Sequence, residues 1–259
     1  MVLSRLRKHI PSHDWFAVGV ELLIVVVGVF IGLQVSNWND LRSARREGHA
    51  YRARIVEDIR FDEASMQRRI NYYSRVRQFG EAALAALEQP PGATDGEQFL
   101  IDAFQATQIA PGLTNRITYD EAISAGALDM IGDVSLRRKL ATYYLTASLS
   151  EAVNLTTVPP YRDVMRRSMP YAVQQSIRTR CAEVFNASPQ DANTRLPSTC
   201  SLGLTSSTIE EAVTEVRSVP ELRQELTMLL SDIDQKLILF AASRDRARKL
   251  AQEIEAGRA

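Results

Sequence analysis

Histidine is scarce in this 259-residue chain, and so is the chemistry that depends on it. The three histidines are His9, His13 and His49. His9 and His13 stand four apart, but Pro11 lies between them and no acidic or thiol ligand is grouped with them, so they do not read as a metal site. The motifs H-E-x-x-H, C-x-x-C, G-x-S-x-G, the P-loop and G-x-G-x-x-G are all missing. The adjacent Asp120 and Glu121 would point about 100° apart on a helix, which is not a catalytic carboxylate pair. Asp129 and Asp133 flank Gly132 and read as turn and cap residues. No catalytic residue, cofactor or metal is expected, and the chain reads as a non-enzyme.

An excess of either charge is also lacking. The 31 basic residues balance the 31 acidic ones, so no global field draws nucleic acid or an acidic substrate. Twelve glycines and ten prolines are few for this length, and runs of alternating Val, Ile and Thr are missing. Abundant Ala, Leu, Arg and Glu, with 45% hydrophobic residues, predict an ordered all-α protein.

One long hydrophobic run is present. From Trp15 to Val35 only Glu21 and Gln34 are polar, and residues 22 to 33 are apolar throughout. A helix of about 21 residues spans roughly 31 Å, the thickness of a bilayer core. The only two tryptophans, Trp15 and Trp38, sit at its ends, where indoles anchor at the headgroups. A buried helix of a soluble protein is disfavoured, because the run has no polar face. A cleaved signal peptide is disfavoured too, because no A-x-A site follows. Residues 15–38 therefore read as an uncleaved transmembrane signal anchor, preceded by a basic stub, 1–14, carrying Arg5, Arg7 and Lys8.

Orientation pulls two ways. Arg42, Arg45, Arg46, Arg52 and Arg54 follow the run, so the positive-inside count leans against a cytoplasmic N-terminus. The only two cysteines, Cys181 and Cys200, form an isolated pair that suggests a disulfide and an oxidising compartment, against the alternative of two buried thiols. The expected location is the bacterial inner membrane, single-pass, with residues 39–259 as a periplasmic helical domain.

Glu21 is costly inside a span and so marks a candidate function. At ~100° per residue, Glu21, Gly28 and Gly32 share one stripe, and the glycines form G-x-x-x-G. Two readings stay open. In one, the stripe is the interface of a homo-oligomer. In the other, Glu21 reaches the headgroups and the glycines are merely tolerated.

Beyond the span, Tyr51, Ile55, Ile59, Met66, Ile70, Tyr73, Val76, Leu84 and Leu87 recur at steps of mostly three, four or seven, predicting an amphipathic helix to Gln89. Ten arginines between Arg42 and Arg77 outweigh Glu47, Glu57, Asp58, Asp62 and Glu63. These charges read as a solvated face with intrahelical pairs, and no aromatic-interleaved groove supports nucleic acid. Pro90-Pro91-Gly92 ends the helix, and Thr94 or Asp95 caps the next, which runs towards Pro111-Gly112. Thr118 with Glu121 fits a capping box, Gly126 a helix C′ position, and Asp133 or Ser135 the cap of a helix through Leu136, Leu140, Tyr143 and Tyr144. Pro159-Pro160 opens a helix that Pro170 bends or ends. Residues 173–205 read as an irregular segment stapled by the cysteines. Ser207 with Glu210 fits another cap. Leu222, Leu226, Leu229, Ile233, Leu237, Phe240, Ala247, Leu250 and Ile254 make a near-heptad second long helix, expected antiparallel to the first in an elongated bundle; a dimeric coiled coil is the alternative.

Two stretches resemble an uncharacterised bacterial family of single-span membrane proteins, a domain of unknown function. One is E-L-L-I-V-V-V-G-V-F-I-G-L-Q-V-S-N-W-N, Glu21 to Asn39. It is similar to the family's E-I-x-L-V-V-x-G-I-x-I-A-L-Q-x-N-N-W-N, with Gly32 replacing Ala. The other runs from Tyr119 to Ile131 and on through Leu136-Arg137 and Leu140 to Tyr143-Tyr144. It is similar to Y-x-E-L-x-S-S-G-x-L-x-L-I followed by L-R-x-x-L-x-x-Y-Y, and it retains Tyr119, Glu121, Gly126, Leu136, Arg137, Tyr143 and Tyr144 while Ala122, Ala125 and Met130 depart. The resemblance implies a membrane protein and supplies no activity.

The expected function is a membrane-anchored helical interaction or scaffold protein, its partners being the lipid bilayer, a second copy through the span, and a membrane or periplasmic protein, with no nucleic acid. The alternative is a periplasmic ligand-binding or sensor bundle. It would signal through a membrane partner, since the stub is too short for a folded output. A convergent polar pocket around Tyr119 favours the alternative; a featureless apolar core there favours the scaffold.

Overall fold

The computed structural model describes residues 15–257 apart from 111, 113, 157, 186–193 and 198–199; the basic stub 1–14 lies outside the described residues. The first helix, α1, runs unbroken from Trp15 to Glu88 and joins the apolar run to the amphipathic stretch as one rod of 74 residues, about 110 Å long at ~1.5 Å per residue. It stops where Pro90 and Pro91 withdraw their N–H groups. Then follow α2 (Gly96–Gln105), α3 (Ile117–Ser124), α4 (Leu128–Ile131), α5 (Val134–Thr156), α6 (Pro160–Ser168) and α7 (Tyr171–Arg180). A two-residue antiparallel pair, β1 (Val184–Phe185) and β2 (Thr194–Arg195), precedes α8 (Ser206–Arg217) and α9 (Leu222–Glu255). The helical class is as expected.

The second long helix, α9, lies antiparallel along the distal part of α1. Arg223 meets Glu88 at 2.9 Å, Arg77 meets Asp234 at 2.9 Å, Arg248 meets Glu63 at 2.6 Å and Arg60 meets Glu255 at 2.9 Å. These pairs are largely exposed and contribute at most about 1 kcal/mol each, so they mark the register more than they stabilise it. Stability comes from apolar burial, of the order of 25 cal/mol per Å². One core packs Val76, Phe79 and Ala83 with Phe104, Tyr161, Met165 and Leu226. The other packs Ile55 and Ile59 with Ile131, Leu136, Leu140, Tyr144 and Ala251. The apolar sequence of α1 is interrupted between them at Asp62, which is itself buried.

Close approach sets where the short helices sit. Gly48 is buried against α4, where a Cβ would overlap the carbonyl oxygen of Met130. Gly80 lets Leu230 of α9 reach within 2.8 Å of where a Cβ would stand. Gly126, with φ +65°, closes α3 in a Schellman turn: Ala127 N–H donates to Ala122 C=O at 2.9 Å and Gly126 N–H to Ile123 C=O at 3.0 Å. Asp133 Oδ1 accepts from Leu136 N–H at 2.9 Å, as the cap expectation required.

Other expectations need correction. The Thr118–Glu121 capping box does not form. Thr118 lies inside α3, its N–H donating to Asp58 Oδ2 at 3.2 Å, and Glu121 turns outward to Arg54. The cap before α8 is Thr205, not Ser207; its hydroxyl accepts from Thr208 N–H at 3.3 Å. Residues 173 to 180 are helical rather than irregular, because Val173 and Ile177 are buried together on one face of α7.

Candidate functional site

The polar interruption in α1 gathers a buried hydrogen-bonded cluster. Asp58 and Asp62 stand one helical turn apart and reach into the turn before α3. Asn115 donates its backbone N–H to Asp62 Oδ1 at 2.8 Å and its side-chain amide to Asp58 Oδ1 at 2.7 Å. Tyr143 of α5 donates its hydroxyl to Asp62 Oδ2 at 2.8 Å. Asp62 is only 1% exposed. Burial pushes its carboxyl up to about 6, and the fields of Asp58 and Glu151 add to that; the two hydrogen bonds hold it back. Burial also pushes the Tyr143 hydroxyl above its ordinary range, so it stays a donor.

Tyr119 and Tyr144 form the apolar wall beside this cluster, stacked at 4.3 Å with 20° between ring planes. Tyr143 packs edge-on against Tyr144 at 5.0 Å. The Tyr144 hydroxyl is buried with no hydrogen-bond partner among the described residues. Arg116 donates to Ser148 Oγ at 2.5 Å and pairs with Asp120 at 2.9 Å, tying α3 to α5.

Beyond Tyr143 the helices α5 and α9 part, leaving a cleft of about 940 Å³ that also reaches Met66 and Arg69 of α1 and the Pro159-Pro160 turn. Apolar side chains from three helices line it, including Met66, Leu149, Leu239 and Leu250. Arg69 is 8% exposed. Its Nε and Nη2 are sealed from solvent and lack hydrogen-bond partners among the described residues. Burial lowers its affinity for a proton, and the fields of Glu151 and Asp62 offset part of that. Glu151 is itself engaged by the backbone N–H of Thr114. Lys236 of α9 also lines the cleft, and burial pulls its ammonium below the usual range.

The expected motif residues divide between this site and plain structure. Tyr143 bonds Asp62, and Tyr119 and Tyr144 stack beside it. Leu136 is core. Arg137 pairs with Asp129 at the start of α5. Glu121 pairs with Arg54 and accepts from the Tyr51 hydroxyl at 3.5 Å, at the surface. Gly126 is a turn residue. Cys181 and Cys200 are bonded, 5.5 Å apart at Cα, fastening the segment after α7 to the distal core.

The residues of the N-terminal apolar run remain outside the folded body. Glu21 is exposed, and a Cβ on Gly28 or Gly32 would meet nothing within 4 Å. Trp15 and Trp38 are 76% and 62% exposed, with Arg42 over the Trp38 ring at 5.4 Å. His49 is exposed beside Arg52, and His9 and His13 fall outside the described residues. Among the described residues no group of His, Cys, Asp or Glu is placed to hold a metal.

Sequence reasoning took Asp58 and Asp62 for a solvated face and did not single out Arg69, Asn115, Glu151 or Lys236. A signal was present for two of them. Ile55, Ile59, Asp62, Met66, Arg69, Tyr73 and Val76 advance by alternate steps of four and three, which places Asp62 and Arg69 in the core seam. Polar residues at such positions mark buried networks. No protein family, curated protein or solved structure matches the chain.

Proposed function

We propose that this chain is a single-span membrane-anchored protein whose helical body binds a small ligand in the α5–α9 cleft. The cleft is the observation that carries the reading: its volume of about 940 Å³, with apolar surface flanked by charged side chains, falls in the range of small-molecule sites between bundle helices. The buried Arg69 guanidinium and Lys236, which line the cleft from α1 and α9, are the polar groups that put ligand binding ahead of a passive scaffold. The anchor is supported by a helix segment of mean hydropathy 2.5, none of it buried against the rest of the chain, as a core helix would be. The continuous α1 would couple the bound body to the membrane and to a partner there.

The test is thermal stability of the full chain, in a neutral detergent, against a library of small amphipathic compounds. At least one compound raises the melting temperature, and Ala147→Trp, which fills the cleft, abolishes the shift. Shifts that survive Ala147→Trp place binding elsewhere and contradict the reading.

A second reading, an interaction scaffold that self-associates through the span, is favoured by the exposed Glu21, Gly28 and Gly32 stripe, where a Cβ on either glycine would meet nothing within 4 Å among the described residues. In-cell crosslinking tests it: Gly28→Leu lowers the dimer yield if the stripe is an interface and leaves it unchanged if not. The periplasmic location is tested by impermeant maleimide, which labels Cys181 and Cys200 from the periplasmic side only after reduction.

A further inference from the structure

Six of the charged side chains lining the cleft are cationic, Arg69, Arg138, Lys139, Lys236, Arg246 and Lys249, against Glu151, Asp232 and Glu253. One cation and one acid already satisfy each other, Lys139 with Glu253 at 2.9 Å. Glu151 is held by the Thr114 N–H and Asp62 by Tyr143 and Asn115, so the two carboxylates nearest Arg69 act on it through their fields without bonding it. Arg69 makes no hydrogen bond among the described residues; its guanidinium carbon stands 5.7 Å from the Phe240 ring centre, and its Nε and Nη2 are sealed while Nη1 is not among the sealed atoms. A buried guanidinium left in that state is costly unless something completes it. Lys236 enters the same cleft from α9, its ammonium 5.7 Å from the Tyr73 ring centre, with no bonded carboxylate among the described residues.

We infer that the cleft takes an amphipathic carboxylate: a linear apolar body along Met66, Leu149, Leu239 and Leu250, with its anionic head on Arg69 Nη1 and Lys236. This deepens the ligand-binding reading and rests on it. A charge-assisted bond to a carboxylate is roughly twice as strong as a neutral one, and the dry surroundings of Arg69 strengthen it further. The apolar strip of Met66, Leu149, Leu239 and Leu250 favours a ligand with an apolar body over a compact, fully hydrated anion. The length of α1 excludes a lipid held in the bilayer. Arg69 lies about 46 Å along the helix from Trp38 at ~1.5 Å per residue, far beyond the headgroup layer. The ligand therefore arrives from solution.

The test uses the full chain in zwitterionic nanodiscs and two fluorescent probes, dansylaminoundecanoic acid and its methyl ester. The acid binds, and the ester binds at least tenfold more weakly. Arg69→Met and Lys236→Met each weaken the acid at least tenfold and leave the ester unchanged, and Arg69→Met melts no lower than wild type because it removes an unpaired buried cation. Equal binding of acid and ester, blocked by Ala147→Trp, overturns the carboxylate head and keeps the apolar cleft as a ligand site. Binding of neither probe overturns the inference, while the library shift and its loss in Ala147→Trp judge the broader reading separately. An Arg69→Met protein that melts lower yet binds the acid as wild type does makes Arg69 a structural residue and also overturns it. Doping the discs with anionic phosphatidylglycerol leaves the acid's affinity unchanged; displacement would assign the cleft to a membrane lipid instead.

Discussion

Gly48 of α1 lies against the backbone carbonyl of Met130 in α4, with no room between them for a methyl group. This is where the folded body first grips the rod as it leaves the apolar segment. Gly48→Ala forces α4 off α1 and lowers stability by about 1–3 kcal/mol, the usual cost of overpacking. Gly48→Val costs more. Denaturant unfolding measures both, and hydrogen exchange localises the loosening to α4 and its neighbour α3. A fully neutral Gly48→Ala would mean that the contact is not close.

Asp62 carries a pH dependence whose sign is fixed by its burial. Its folded carboxyl sits at about 6, above the ordinary 3.8. Between those values the folded chain holds more protons than the unfolded one, so this group's contribution to stability falls as pH rises from about 4 to about 6 and is flat above. The size is on the order of 3 kcal/mol. Asp102, also raised to about 6 by burial, acts with the same sign, and Glu63, held low by Arg248 and Arg60 despite partial burial, acts with the opposite one. The measurement is therefore the difference between wild type and Asp62→Asn across pH 4 to 7. Wild type loses stability relative to the variant over that window. A constant difference would contradict a buried, neutralised Asp62.

Much of this was legible from periodicity. Steps of three and four predict α1 and α9. The positive φ at Gly126 and the cap at Asp133 follow from residue type and place. The site was not legible in the same way, because it lies where the periodic apolar pattern is broken. Ile59 to Met66 is a step of seven that conceals Asp62, and a carboxylate on an arginine-rich helix reads as solvated until another helix covers it. Thr118 illustrates the limit on local motifs. Its N–H is claimed by Asp58, sixty residues earlier in the chain, so the capping box it spells with Glu121 has no free donor to complete. Gly48 belongs with these: nothing near it in sequence tells that Met130 will pack upon it.

Glu121 lies in the Tyr119–Ile131 stretch beside the tyrosines, yet its side chain is 45% exposed in its pair with Arg54. Glu121→Gln is close to neutral for stability, as expected for a solvent-exposed pair, and leaves probe binding in the cleft unchanged. Leu140→Ala, in the core beneath the tyrosines, costs about 2–5 kcal/mol by cavity formation. Chemical denaturation of the two variants side by side checks the contrast; an equal loss would give Glu121 a role beyond surface pairing.

The Cys181–Cys200 bond closes a loop with a sequence separation of 19. On the chain-entropy estimate it stabilises the fold by about 3 kcal/mol. Unfolding with and without dithiothreitol reads this directly, and a Cys181→Ser/Cys200→Ser double variant matches the reduced protein. An unfolding midpoint indifferent to reductant would place the chain's stability elsewhere and weaken the case for an oxidising compartment.

Hydrogen–deuterium exchange on the full chain in zwitterionic nanodiscs, with and without dansylaminoundecanoic acid, tests ligand binding in the cleft most directly. Exchange slows in residues 138–151 of α5 and 232–250 of α9 and around Arg69 of α1, and is unchanged along residues 15–38. Protection confined to the apolar segment, or no change in α5 and α9, would contradict a ligand seated between these two helices.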